Sequence, residues 1–114
     1  MNSPISEAEA FGLLQNRRAA FSAAAAPLLV GVDIDMSTGA AAADRLLDMT
    51  IAAYEGRLAP EARARDLPRS AYSRFGDNLV PLLKDVLGAS LSVAFLARCV
   101  DAYWRGASRA MAPQ

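Results

Sequence analysis

Residues 30–39 read VGVDIDMSTG, and the fold turns on whether they are a strand or the lead-in to a helix. Val30, Val32, Ile34 and Met36 alternate with polar or small residues, the period of a strand. No other segment of the chain offers such a strand a partner, and an unpaired strand leaves its amides and carbonyls open. Pairing would need a second copy of the chain. Asp33, Asp35 and Ser37 also alternate as the oxygen ligands of a calcium loop do, with Asp44 at the twelfth position. The sharp-turn glycine of such a loop belongs at the sixth position, where Thr38 stands, and Gly39 comes one place late. The helix lead-in conflicts with nothing. Pro27-Leu28-Leu29-Val30 then pack the connection onto a core, Asp33 and Asp35 face water, and Ser37 or Thr38 caps a helix whose N-terminal dipole favours Asp35.

Asp33-x-Asp35 after an apolar run also resembles the nucleophile motif of haloacid-dehalogenase-like phosphatases. That fold needs several βα units and further lysine and acidic motifs, for which this chain has neither room nor strands.

Working outward, helical spacing prevails on both sides. Ser3-Pro4 and the capping box Ser6–Glu9 open one long helix over residues 3–26, with Phe11, Leu14, Phe21, Ala25 and Leu28 along one face. Pro27 is expected to end or bend it. A second helix runs from Ser37 or Thr38 to Glu55. Leu47, Ile51, Tyr54 and Leu58 face inward, Asp44, Asp48 and Glu55 form an acidic face, and Gly56 is the stop. Residues 57–76 are the least regular, with a short helix over Glu61–Arg65 started by Pro60. Asp77 then caps an apolar helix that carries Pro81 in its first turn and breaks at Gly88. The last helix, from about Leu91 to Ala110, bears apolar residues on more than one face. The expected fold is all-α, a compact bundle of four to five helices in a single domain.

Composition removes most chemistries. The chain has 114 residues, balanced charge and no histidine, so Ser-His-Asp and Cys-His catalysis and most zinc or di-iron sites are excluded. Zero net charge argues against nucleic acid as a partner. Cys99 is the sole cysteine and forms no intrachain disulfide, which fits a reduced cytoplasmic setting. No apolar run is long enough to span a membrane. The alanine and arginine bias, with Lys84 the single lysine, reads as a GC-rich bacterial genome. Arg17-Arg18 followed by an apolar stretch is how a twin-arginine export signal begins, but Glu7 and Glu9 ahead of it favour an amphipathic helix.

No catalytic, cofactor or metal site is expected, and no motif carries a family resemblance that the rest of the chain supports. Cys99 between Phe95 and Tyr103 reads as a buried structural thiol. Arg63, Arg65, Arg69 and Arg74 with Tyr72 and Phe75 could bind an anion, although Glu61, Asp66 and Asp77 dilute the charge. Neighbours Tyr103 and Trp104 point about 100° apart, so one faces the domain and the other is available to a partner. The candidates for an interface or ligand contact are therefore Phe95, Cys99, Tyr103, Trp104, Arg98, Arg105, Asp44 and Asp48. The acidic face is expected to dock on Arg98, Arg105 and Arg109 or on the 63–74 arginines. The last two helices are expected to be the central layer and an oligomer contact. The function expected is association without catalysis, as an oligomer, adaptor or accessory subunit, through self-association or a protein partner. The alternative is a bundle that binds a small apolar or anionic ligand.

Overall fold

The computed structural model describes residues 3–57 and 63–112. It contains five helices, α1 (Glu7–Asn16), α2 (Arg18–Leu29), α3 (Met36–Tyr54), α4 (Arg69–Leu87) and α5 (Val93–Met111), and no strand among the described residues. One core joins side chains from all five. The four longer helices surround it, with α2 against α3 and α4, and α5 against α3 and α4, while α1 lies across one end. This is the all-α bundle that the apolar stripes require.

VGVDIDMSTG is a helix lead-in. Asp35, rather than Ser37 or Thr38, is the cap of α3, and its carboxylate accepts the Thr38 amide at 2.7 Å. A carboxylate at the cap answers the helix dipole as well as an orphan amide, so it displaces the hydroxyls further along. Of the alternating residues only Ile34 is buried; Val32 is fully exposed at 110% relative accessibility. Asp33 faces outward but is held: Ser70 donates to it, and Arg74 Nη1 lies 3.2 Å from its Oδ1.

Two arginines staple α2 to α4 at both ends of the pair. Arg74, in the second turn of α4, donates to the Leu29 carbonyl at the end of α2 at 3.0 Å. Arg17, at the start of α2, donates to the Val86 and Leu87 carbonyls at the end of α4 at 3.1 and 2.6 Å. Each staple fills carbonyls that a helix end leaves without an internal partner. The paired arginines 17 and 18 are thus both engaged in the fold, Arg18 meeting Asp48 at 3.1 Å.

The expected first helix is divided in two. Arg17 leaves helical geometry at φ −108°, which lets α1 turn across the end of the bundle and stack Phe11 on Tyr54. Pro27 does not end α2: it stands in the last turn, and the helix runs two residues further to Leu29. Its lost amide falls in that last turn, and buried Leu29 anchors the turn against the core.

The other large difference is α4, which starts at Arg69 and not at Asp77. Tyr72, Phe75 and Leu79 extend the buried stripe of Leu82, Leu83 and Leu87 backwards at helical spacing, and Pro68 stands at the N-cap. Pro81 is consequently mid-helix and not in a first turn; its ring faces solvent on the exposed side. The short helix expected over Glu61–Arg65, and Leu58, fall partly or wholly outside the described residues. Arg63 and Ala64 form a tight turn that the Tyr72 hydroxyl ties to α4 through the Ala64 carbonyl.

The stops at Gly56 and Gly88 are as expected. Gly56 has φ +76° and closes a Schellman motif, with the Arg57 amide on the Ala52 carbonyl and the Gly56 amide on that of Ala53. The last two helices are not the central layer. The four longer helices ring the core instead, and α3, which packs against α2, α4 and α5, is buried from Ala42 to Ala52 on most of its faces.

Candidate interaction groove

α5 carries two apolar stripes. Phe95, Cys99, Tyr103, Gly106 and Ala110 face the core and are buried. Val93, Ala97, Val100 and Trp104 form the second, about a third of a turn away, and it is not covered. With Leu96 of α5 and Val80 of α4 they line an open groove of about 550 Å³ whose one charged lining residue is Asp101. Val93 is 83% exposed and Trp104 38%.

Glycine shapes the groove floor. A Cβ at Gly76 would collide with the Trp104 ring, so the indole lies directly on the α4 backbone. Behind it, Tyr103 stacks on Phe75 and donates its hydroxyl to the Tyr72 carbonyl at 2.6 Å. Trp104 meets the Tyr103 ring edge-on at 5.0 Å. The indole is therefore fixed on its inner side and open on its outer side. Burial drives the Tyr103 phenol well above its ordinary range, so it remains a neutral hydrogen-bond donor.

The candidates named from sequence divide cleanly. Phe95, Cys99 and Tyr103 are enclosed by the chain itself, whereas Trp104 and Arg105 stand at the surface. Arg105 donates to Asp101 at 2.9 Å. Arg98 is occupied inside the chain, over the Tyr54 ring at 4.4 Å and 3.3 Å from Glu7. Burial pushes the Cys99 thiol up to about 12, consistent with a structural role. The acidic face of α3 does not act as a unit. Asp48 pairs with Arg18 at 3.1 Å and with Arg63 at 3.7 Å, Glu55 pairs with Arg57, and Asp44 has no ion pair among the described residues. Among the described residues the last-helix arginines take no part in it, and of the 63–74 arginines only Arg63 reaches it, at Asp48.

The arginine segment is similarly dispersed. Arg63 and Arg74 are used as described, and Arg65 and Arg69 line a separate polar crevice of about 440 Å³ with Asp66 and Tyr72. Among the described residues no cluster of three or more His, Cys, Asp or Glu side chains is placed to hold a metal ion. In the 33–44 loop, Asp33 is taken by Arg74 and Ser70, and Asp35 by the Thr38 amide. No helix among the described residues is long and apolar enough to cross a membrane.

Of the groove lining only Trp104 was among the candidates read from sequence; Val80, Val93, Leu96, Ala97, Val100 and Asp101, and the bare Gly76 beneath the indole, were missed. The second stripe on α5 was visible as a run of steps of four, three and four, but it merges with the core stripe when both are counted together. Gly76 was hidden by the misplaced start of α4. Comparison with protein-family models, with curated proteins and with solved structures finds no match to this chain.

Proposed function

We propose that this protein works by association, seating an apolar protein element in the α4–α5 groove, with no chemistry of its own there. The observation that carries this is the uncovered second stripe, Val93–Ala97–Val100–Trp104, beside Val80. A surface helix ordinarily shows one apolar stripe, and a second one that remains exposed marks an interaction surface. Trp104 has the character of an anchor, a large aromatic fixed from behind by Tyr103 and Gly76. A groove open along its length suits an extended element such as a helix better than a small ligand, which needs most of its surface enclosed. The lining offers Asp101 as its one ionisable group, and no nucleophile or base faces it from across the groove.

A photoreactive residue placed at Val93 tests this. It should yield a discrete cross-linked protein adduct, whether of a second copy or of another protein, while the same group at Ser37 on the far side of the bundle should not. Equal, diffuse labelling at both positions would overturn the proposal.

A further inference from the structure

The bend between α1 and α2 is not written into the residues that make it. Residues 15–20, QNRRAA, contain neither glycine nor proline, and only Arg17 leaves helical geometry, at φ −108° and ψ 22°. The amides of Arg18, Ala19 and Ala20 open α2, where a helix offers them no internal partner. In a continuous helix they would donate to the Leu14, Gln15 and Asn16 carbonyls. What holds the bend lies elsewhere, in Arg17 on the end of α4 and in α1 on the end of the bundle. We propose that α1 is an exchangeable arm. Straightening at Arg17 merges α1 and α2 into one helix, and α1 then takes the equivalent seat on a second copy of this chain.

The seat defines its occupant, because α1 already fills it. Phe11 stacks on Tyr54 at 4.3 Å, Glu7 lies 3.3 Å from Arg98, and the Ile5 amide donates to the Ser90 carbonyl at 3.0 Å. Of the ten residues of α1 only Ala10 and Leu14 are buried, so its release is a local opening of the bundle. An arm swung out alone would bare those two side chains and uncover Tyr54, which packs on the buried Phe95. Seated on a second copy, the arm makes each of these contacts again, and the arm of the second copy returns them. The exchanged pair keeps the α1 contacts of two monomers and adds ladder bonds at two hinges. The entropy of association opposes it, so exchange grows with concentration. A hinge as short as one residue between packed elements favours this route to a dimer.

Sedimentation of wild type and Ala19→Pro, each refolded from urea at high concentration, tests the hinge. Ala19 is exposed, and its amide lies in the first turn of α2, where proline is tolerated. In a continuous helix the same ring would clash with the Gln15 carbonyl. Wild type should therefore form a dimer in proportion to concentration, and Ala19→Pro should stay monomeric. Exchange does not use the α4–α5 groove, so Val93→Glu should leave this dimer intact. Native mass spectrometry of Glu7→Arg and Arg98→Glu, refolded together, tests the exchange independently of the proline. Either variant alone sets like charges at the seat, whereas in their exchanged mixed dimer both contacts join a cation to an anion. Mixed dimers should then exceed the statistical half, with a preference of up to roughly tenfold. Glu7→Arg refolded with Arg105→Glu carries the same net charges without repairing both seats, and should show a smaller excess. A wild type that stays monomeric up to its solubility limit overturns the exchange, and so does a dimer indifferent to Ala19→Pro. A mixed fraction no greater than that of the Arg105→Glu control also overturns it. None of these three results touches the groove, which the cross-linking at Val93 judges separately.

Discussion

Asp33 is the residue at which local chemistry and the fold meet most directly. The hydrogen bond from Ser70, with the Arg74 guanidinium beside it, holds its carboxyl below the ordinary 3.8. A carboxyl lowered on folding stabilises the folded chain in its ionised form. That contribution is complete above the ordinary value and disappears as pH falls through the lowered one. The midpoint of thermal unfolding should therefore be higher for wild type than for Asp33→Asn at about pH 6, and the gap should close towards about pH 2.5. A gap independent of pH would show that the latch contributes only shape. Cys99 provides a second measurement at this scale. Its thiol, pushed up to about 12 by burial, should resist an aromatic disulfide reagent at neutral pH and react at once in denaturant. Fast native labelling would mean that α5 opens locally around it.

At the scale of the element, glycines in and beyond the helices have opposite roles. Gly56 sits at φ +76° after α3, where any Cβ is strained, so Gly56→Ala should lower stability by about 1 kcal/mol in urea unfolding. Gly12 lies inside α1 with open space where a Cβ would go, so Gly12→Ala should raise it by about 0.5–1 kcal/mol. If both changes moved stability the same way, the backbone account of these positions would fail. Helix identity was legible over most of the chain, because apolar spacing at three and four residues survives in α3, α4 and α5. Ends were legible where a glycine must adopt a left-handed conformation, at Gly56 and Gly88. They were not legible where a distant side chain sets them. The break at Arg17 depends on carbonyls of α4 far along the chain, and α4 starts at Arg69 because Tyr72 and Phe75 find Ala64, Phe21 and Tyr103. Apart from Ala64, which lies eight residues before Tyr72, none of these partners is local. The groove was half legible for the same reason: Trp104 could be named, but whether its stripe is covered depends on where α4 lies.

For the whole molecule, Phe75 is the joint between layers, tilted on Phe21 of α2 at 5.9 Å and stacked on Tyr103 of α5 at 5.1 Å. Phe75→Ala should cost about 3–5 kcal/mol, a large share of the roughly 5–15 kcal/mol that a domain of this size possesses. Urea titration should then show an unfolding midpoint far below that of wild type. A change under about 1 kcal/mol would mean that the layers hold without it. The two arginine staples between α2 and α4 bear on time rather than on equilibrium. Leu29 and Arg74 are separated by 45 residues, and Arg17 and Leu87 by 70. Such contacts need most of the chain in place, so we expect them to form after the transition state for folding. Removing one should leave the refolding rate untouched and let the native state escape sooner. For Arg17→Met, with a loss of about 1 kcal/mol, stopped-flow traces should show unfolding roughly fivefold faster and an unchanged refolding limb. The staples thus act as a ratchet: they lengthen the lifetime of the assembled bundle without hastening its assembly.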